Sequence, residues 1–209
     1  MTGMDSKSTE SPRTHQVEAA LAVRRLAHAL VAHDAGDAVL DEIAEAAHRW
    51  AAVVEKDPRV VRPAHAVRHE MSSGRPSDGA PIEHFDRCPV SGPANPLATD
   101  LTARRNGDDV RCEVVLGPAH EGVPGRAHGG VVAALFDDAT AFLTRLLEET
   151  CVVSELTVQF RRPVPIGQLL RIDARLTRRD GRRIYTEATM YHGDTTVARA
   201  KSTKVIIDS

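Results

Sequence analysis

The stretch AHGGVVAALFDDA, residues Ala127–Ala139, decides the fold, because a histidine and two glycines open an apolar run that ends at two adjacent acids. From Gly129 to about Glu149, apolar residues recurring at intervals of three and four predict one long helix. At about 100° per residue, the larger apolar side chains fall on one broad arc. We expect this arc to be buried against a sheet, and it consists of Val131, Val132, Leu135, Phe136, Ala139, Phe142, Leu143, Leu146 and Leu147.

The opposite arc of the same helix has an unusual composition. Asp137 lies near its middle and Asp138 points in a different direction, and the remaining residues are Gly130, Ala133, Ala134, Ala141 and Thr144. One interpretation is an ordinary solvent-facing surface of an amphipathic helix. Such surfaces usually carry Lys, Glu, Gln and Arg, whereas glycine and alanine let another backbone or a ligand approach closely. We therefore expect something to pack on this face around Asp137.

Strand-like runs flank the helix on both sides. Two of them, Asp100–Arg105 and Val110–Leu116, surround the turn signal Asn106–Gly107–Asp108, which is typical of a hairpin. Four further runs follow the helix as a meander, at Cys151–Arg161, Leu169–Thr177, Arg183–His192 and Thr195–Ile207. This order predicts an α+β domain in which an antiparallel sheet carries the helix on one face.

The whole chain divides into four parts. We expect a disordered polar tail at 1–15, a helical hairpin at 16–58 with its break near Gly36, a proline-rich connector at 59–96, and the α+β domain at 97–209. We expect the connector to be irregular and to lie across a surface. A DNA-binding unit is an alternative for the hairpin, but its second helix is acidic where a recognition helix is basic.

The composition of the chain excludes several classes of partner. The chain has 209 residues and a formal net charge of −2, without the basic patch that a phosphate backbone or an anionic membrane requires. Its N-terminus lacks the apolar core of a signal peptide, and no apolar run is long enough to span a bilayer. Cys88, Cys112 and Cys151 are far apart and odd in number, which fits a reducing compartment. We expect a soluble cytoplasmic protein that has neither nucleic acid nor membrane as a partner.

Signals for a metal or cofactor are weak. His65 and His69 have the i, i+4 spacing of helical metal ligands, but they lie in the connector and no HExxH glutamate stands between them. His120 and Glu121 lie in a loop rich in glycine and proline. Neither a GxSxG elbow nor a phosphate-binding glycine loop occurs. We expect no metal and no cofactor.

The central motif and its surroundings together resemble a known family. The tripeptide HGG at 128–130 is followed by Asp137, nine residues after the histidine. The loop GPAHEGVPGRA precedes it, and the strand SELTVQFRRPVPIG follows the helix. In these features residues 95–207 resemble the PaaI-type hotdog-fold acyl-CoA thioesterases. The resemblance implies a curved antiparallel sheet around the long helix, a homodimer or dimer of dimers joined sheet edge to sheet edge, and active sites at the dimer interface.

The resemblance also implies roles for individual residues. Asp137 is expected to act as general base or nucleophile in thioester hydrolysis, and the backbone N–H of Gly129 as oxyanion donor. The chemistry agrees, because hydrolysis needs a carboxylate and a donor, and the first turn of a helix offers an N–H without an intrahelical partner. Gly130 leaves room for the substrate. His128 either orients the loop and donates a hydrogen bond or only caps the helix.

A second polar site residue is not evident. Some members of the family carry Ser or Thr early in the strand after the helix. Counting back from Pro163 places Val153 there, and Ser154 faces the other way if the strand alternates regularly. Ser154 and Thr157 are therefore both candidates for substrate binding. Arg161 and Arg162 are candidates for contacting the phosphates of coenzyme A, with Arg162 preferred; the alternative is that both are merely solvated.

Gly129 and Asp137 are separated by eight residues of one helix. The separation is about 12 Å along the axis, too far for both to act on one thioester carbon. A two-fold axis would instead pair Gly129 of one chain with Asp137 of the other. The predicted function is hydrolysis of acyl-CoA to free acid and coenzyme A. The alternative is a non-catalytic acyl-CoA-binding module with a regulatory or scaffolding role.

Overall fold

The computed structural model describes residues 12–60, 74–83 and 85–207. Two helices come first, α1 (Pro12–Ala32) and α2 (Asp37–Val54). They are the two helices that the sequence predicted, and they are separated near Gly36. Helix α1 begins at Pro12, inside the segment expected to be a tail. Proline suits a first helical position because the N–H that it lacks would have no intrahelical partner there.

The strands and the central helix follow the predicted order. Strands β1 and β2 form the first hairpin, a 3₁₀ turn follows at Pro118–His120, and a small hairpin of β3 and β4 leads into the central helix α3. The bounds are β1 (Thr102–Asn106), β2 (Asp109–Val115), β3 (Glu121–Val123), β4 (Arg126–Ala127), α3 (Gly129–Leu146), β5 (Cys151–Phe160), β6 (Leu169–Asp180), β7 (Arg183–His192) and β8 (Thr195–Ile206). The β3–β4 hairpin was not predicted, because strands this short show no periodicity.

Six strands form one antiparallel sheet in the order β1-β2-β6-β7-β8-β5. Helix α3 packs on one face of it and contacts β2, β5, β6, β7 and β8. The predicted hotdog fold is therefore confirmed. Strand β5 follows the helix and pairs with β8, so it forms one edge of the sheet.

The core lies between α3 and the sheet. The residues of the predicted apolar arc that are buried are Val132, Leu135, Phe136, Ala139, Phe142, Leu143 and Leu146, whereas Val131 and Leu147 are half-buried. They pack with sheet residues such as Ile172 and Met190. Full burial of a side chain of this size contributes about 1.5–3 kcal/mol, so this interface holds the helix on the sheet.

The connector is irregular in its described parts, as predicted, but it does more than cross a surface. Ile82 is buried in the main core, and its N–H donates to the carbonyl of Ala103 on β1 at 2.9 Å. An isolated bridge joins Pro81 to Arg104. Ile82 therefore contributes to the core under β1, which composition alone did not indicate.

Arg24 and His28 on helix α1 form hydrogen bonds to the chain beyond the N-terminal helices. The guanidinium of Arg24 is buried, forms an ion pair with Asp100 and donates to the carbonyl of Asn95 at 2.8 Å. Nδ1 of His28 accepts a hydrogen bond from the N–H of Ala119 at 3.1 Å. Helix α2 has no buried residue. Among the described helices, none combines the length and hydropathy needed to cross a membrane.

Candidate active site

The helix N-terminus at His128 is built by local hydrogen bonds. His128 is the N-cap of α3, and its Nδ1 accepts from the N–H of Gly130 at 3.0 Å. An accepting Nδ1 carries no proton, so the neutral imidazole is protonated on Nε2. The cap uses the N–H of Gly130, whereas Gly129 occupies the first helical position, where an N–H has no intrahelical partner. The structure therefore shows the capping role of His128, and the Gly129 N–H has no acceptor among the described residues.

Backbone contacts fix where this helix begins. The N–H of Ala127 donates to the carbonyl of Val164 at 2.9 Å, and the N–H of His128 donates to the carbonyl of His120 at 2.9 Å. The first contact joins β4 to the segment after β5. The second joins His128, the residue after β4, to the 3₁₀ turn. The glycines are thereby held beside the Arg161–Arg162–Pro163 segment.

A pocket of about 600 Å³ opens at Gly129. The ring of Phe160 forms one wall, and a Cβ added to Gly129 would lie 3.4 Å from its Cζ. Most of the lining is apolar, but three arginines also line it, namely Arg126, Arg161 and Arg162. Arg126 and Arg162 also line an adjacent pocket of about 320 Å³. The structure thus brings together Gly129 and Arg162, which the sequence placed far apart.

Asp137 lies two turns further along α3, where its side chain is 51% exposed. Its Oδ1 is 3.6 Å from Nζ of Lys204 on β8, a side chain that is only 2% exposed. Burial lowers the pKa of Lys204, and the negative charge of Asp137 opposes that shift. Lys204 was not identified from the sequence. The available signal was that it continues the inward row of Ala198, Ala200 and Ser202 on β8.

The neighbouring acid has a different environment, as the helix geometry predicted. Asp138 is 6% exposed, and its Oδ1 accepts a weak hydrogen bond from the thiol of Cys88 at a distance of 3.4 Å. Burial and the charge of Asp138 both raise the pKa of Cys88. Of the two adjacent acids, Asp137 is accessible and Asp138 faces the connector.

The strand after the helix is not regular where Ser154 lies. Val153 pairs with Lys204 and Glu155 pairs with Thr203, so the register shifts between them and Ser154 is the extra residue of a β-bulge. Its hydroxyl donates to the carbonyl of Thr203 at 3.1 Å. The expectation that Ser154 faces away from Val153 assumed an unbroken strand. The bulge interrupts the alternation of side chains at this point, so the expectation does not apply.

Thr157 lies elsewhere. It pairs with Lys201 and lines a pocket of about 640 Å³ that also includes Arg175 and Glu187. This polar pocket is on the face of the sheet opposite to α3, because residues alternate along β8 between Lys201 and the inward Ser202. Within one chain the structure does not bring Thr157 to Asp137 or Gly129.

Histidines and acids outside the helix do not assemble into a metal site in the described ranges. No group of three or more metal-ligating side chains occurs there. His120 accepts from the N–H of Gly117 through Nδ1, and Glu121 accepts from the N–H of Gly125. His65 and His69 lie outside the described residues.

Comparison with known proteins shows which proteins this chain is similar to. Residues 124–199 match the family model described as the thioesterase superfamily, a range that contains the HGG motif and Asp137. A crystal structure of a thioesterase superfamily protein superposes with a TM-score of 0.77 at 26% identity, covering 91% of this chain and 90% of that one. The PaaI protein of E. coli has a TM-score of 0.50 at 18% identity, over 53% of this chain and 82% of its own. The resemblance to thioesterases is therefore confirmed.

Curated relatives with printed activities match a shorter range. Acyl-coenzyme A thioesterase THEM4 of Xenopus laevis is 30% identical over 96 residues, which is 46% of this chain and 43% of the relative. The protein of the same name from Bos taurus is 29% identical over 113 residues, or 53% of this chain and 46% of the relative. The chain thus spans less than half the length of these relatives.

Proposed function

We propose that this protein hydrolyses acyl-CoA thioesters to a free acid and coenzyme A, with two active sites shared between the subunits of a homodimer. The single observation that carries the proposal is that one helix, α3, presents two separate half-sites, one at Gly129 and one at Asp137. The open N–H of Gly129 lies beside a pocket lined with arginines, and the accessible carboxylate of Asp137 lies two turns away. The names of the matched relatives support the substrate class.

The two half-sites together supply what thioester hydrolysis requires, namely a base or nucleophile and an oxyanion donor. As general base, Asp137 takes a proton from water while the water oxygen bonds to the carbonyl carbon; as nucleophile, its own oxygen forms that bond. The carbonyl oxygen becomes an oxyanion and accepts from the Gly129 N–H, at the positive end of the α3 dipole. The C–S bond then breaks. On the general-base route the proton taken by Asp137 passes to the sulfur, and coenzyme A leaves as the thiol. On the nucleophilic route coenzyme A leaves as the thiolate, and water then hydrolyses the mixed anhydride on Asp137, which releases the free acid and restores the carboxylate.

The exposed edge of β5 supports the dimer. This strand of ten residues has a free edge in the described chain, and apolar side chains along it are exposed, including Val152 at 49% and Phe160 at 54%. Proteins rarely leave so long an apolar edge open. A two-fold axis beside β5 would continue the sheet and set two α3 helices antiparallel, with Gly129 of one chain near Asp137 of the other. A dimer of dimers is compatible with the same edge contact.

The pocket at Gly129 suits coenzyme A in charge and shape. Arg126, Arg161 and Arg162 offer positive charge to phosphate groups, and guanidinium groups bind phosphate with paired hydrogen bonds. Its apolar walls would accept the pantetheine arm. We also propose a cytoplasmic location, which rests on the pattern of the three cysteines alone.

A thiol-release assay over acyl-CoAs of different chain length and ring content tests the proposal, with binding measured in parallel by calorimetry. Hydrolysis of at least one acyl-CoA, with turnover well above the spontaneous rate, supports the enzyme. Tight binding of acyl-CoA without release of thiol would instead favour the non-catalytic binding module. Neither binding nor hydrolysis across the panel would exclude both.

A further inference from the structure

Lys204 is a charged side chain in a position that the fold reserves for small or apolar ones. It stands on β8 after Ala198, Ala200 and Ser202, all buried against α3. With 2% of its side chain exposed, its ammonium has lost nearly all contact with water. Burying a charge is costly unless a partner compensates it. A lysine at an exposed position of β8 would avoid that cost, so the burial of Lys204 requires an explanation.

The partner of Lys204 is the carboxylate to which we assign the chemistry. The distance from Nζ to Oδ1 of Asp137 is 3.6 Å. That oxygen is itself buried and accepts no hydrogen bond from the described residues, although the side chain as a whole is 51% exposed. One carboxylate oxygen therefore faces the ammonium, and the exposed area lies on the remaining side-chain atoms, which include Oδ2.

Other titratable groups around Lys204 come from two elements. Helix α3 presents Asp137 and Asp138, whose negative charges favour the protonated amine. Strand β5 presents Cys151, and burial raises the pKa of its thiol to about 11, so the thiol is neutral near neutral pH. The residue paired with Lys204 on β7 is Ile184, which is apolar and buried. The ammonium is thus surrounded by acidic groups and apolar side chains.

We propose that Lys204 is a positioning residue for thioester hydrolysis, holding Oδ1 of Asp137 so that Oδ2 points to the site shared with the partner subunit. This inference rests on the proposed function. Lys204 acts through Asp137, and it neither gives nor takes a proton during turnover. When the Lys204 ammonium loses its proton at high pH, the ion pair with the Asp137 carboxylate is lost. The alternative is that Lys204 only fills space between the sheet and α3.

Three variants separate these roles. Lys204→Met removes the charge and keeps the length, and Lys204→Arg keeps a charge that does not titrate in this range. Lys201→Met is the matched control, because Lys201 is on the same strand but faces the opposite side and is 76% exposed. A catalytic group displaced by about 1 Å can lose about 10²-fold in rate. We expect Lys204→Met to lower kcat by about that factor with little change in KM, and Lys201→Met to behave as wild type.

The pH profile of kcat gives a readout that space-filling would not move. In the wild type we expect a basic limb where Lys204 loses its proton, and in Lys204→Arg this limb should disappear while activity at neutral pH is largely retained. A folded Lys204→Met with wild-type kcat, or an unchanged basic limb in Lys204→Arg, would overturn the proposal.

The contact can also be measured without activity. In protein labelled with ¹³C at lysine, the titration midpoint of the Lys204 amine should be lower in Asp137→Asn than in the wild type, because the charge of Asp137 raises the pKa of Lys204, and it should be nearly unchanged in Lys201→Met. Equal midpoints would overturn the positioning role even if no acyl-CoA is hydrolysed. Absence of hydrolysis together with a shifted midpoint would instead count against the proposed function and leave the contact established.

Discussion

The rings of His28 and His120 stand edge to face with their centroids 4.8 Å apart, and they join α1 to the turn that leads into the candidate active site. Nδ1 of His28 accepts from the N–H of Ala119, and Nδ1 of His120 accepts from the N–H of Gly117. The carbonyl of His120 in turn accepts from the N–H of His128, the cap of α3. The N-terminal helix is thereby linked to the loop that positions Gly129.

This pair predicts that acid weakens the attachment of α1. Burial lowers the pKa of both His28 and His120, and the positive charge of Arg24 adds to the effect. Since their folded-state pKa lies below the unfolded value of 6.5, protonation favours the undocked state. The stabilisation is complete above that unfolded value and is lost as the pH falls through the lower folded-state pKa. Hydrogen exchange of α1 amides at pH 7.5 and pH 5.5 measures it.

The control for this prediction is a variant that cannot titrate. In His28→Asn the amide oxygen can accept in place of Nδ1, so the pH dependence of α1 protection should shrink. His48→Asn, on the exposed surface of α2, should leave it unchanged. Equal pH dependence in all three proteins would show that His28 does not control docking.

A methyl group at position 117 should displace α1. A Cβ added to Gly117 would lie 2.6 Å from Nδ1 of His28, closer than any real contact. We expect Gly117→Ala to cost about 1–3 kcal/mol, as overpacking usually does, and to expose α1 to exchange. Gly36→Ala is the control, because nothing lies within 4 Å of a Cβ there.

A double variant checks the cause. If the clash with His28 is responsible, Gly117→Ala should add little further destabilisation in a His28→Ala background, as measured by denaturant unfolding. Additive losses in the double variant would contradict the clash and place the effect in the backbone of the turn.

The two adjacent acids should give different losses when each is changed to its amide. Asp137→Asn should keep the fold and lose about 10²–10⁴-fold in hydrolysis, the usual worth of a positioned general base. Asp138→Asn should matter far less for turnover; because Asp138 is buried against Cys88, its effect should show in the free energy of unfolding. Equal turnover by the two variants would refute the assignment of Asp137.

Mixing two inactive variants tests the shared site. Asp137→Asn lacks the base, and Gly129→Pro lacks the donor N–H while suiting the first position of a helix. His128 before it has φ −64° and ψ 135°, the extended backbone that a following proline requires. In a random mixture, half the dimers carry one complete site of two, so about a quarter of wild-type activity should return.

Each variant alone should stay inactive. Native mass spectrometry must show that subunits have exchanged before the activity is read. Verified heterodimers of two folded variants with no recovered activity would mean that Gly129 and Asp137 do not serve a common site.

The elements that local periodicity can specify were predicted well. Helix α3 begins at Gly129 as expected, and β7 has the predicted bounds, since a run of apolar residues with one period needs no distant partner to be recognised. The directions of Asp137 and Asp138 followed from the helical repeat. Missed features were those without a repeat: the β3–β4 hairpin, the bulge at Ser154 and the burial of Ile82.

The sequence by itself determined the order of elements, the buried arc of α3 and the residues that can supply base and donor, because each depends on neighbours within a few turns or along one strand. Only the tertiary structure decided that Lys204 meets Asp137, that Thr157 lies on the far face of the sheet and that His28 reaches the loop before Gly129. These relationships join residues from separate elements, and strand order, register and packing decide them together. The periodicity of one segment indicates neither the strand order, nor the register, nor the packing of the other segments.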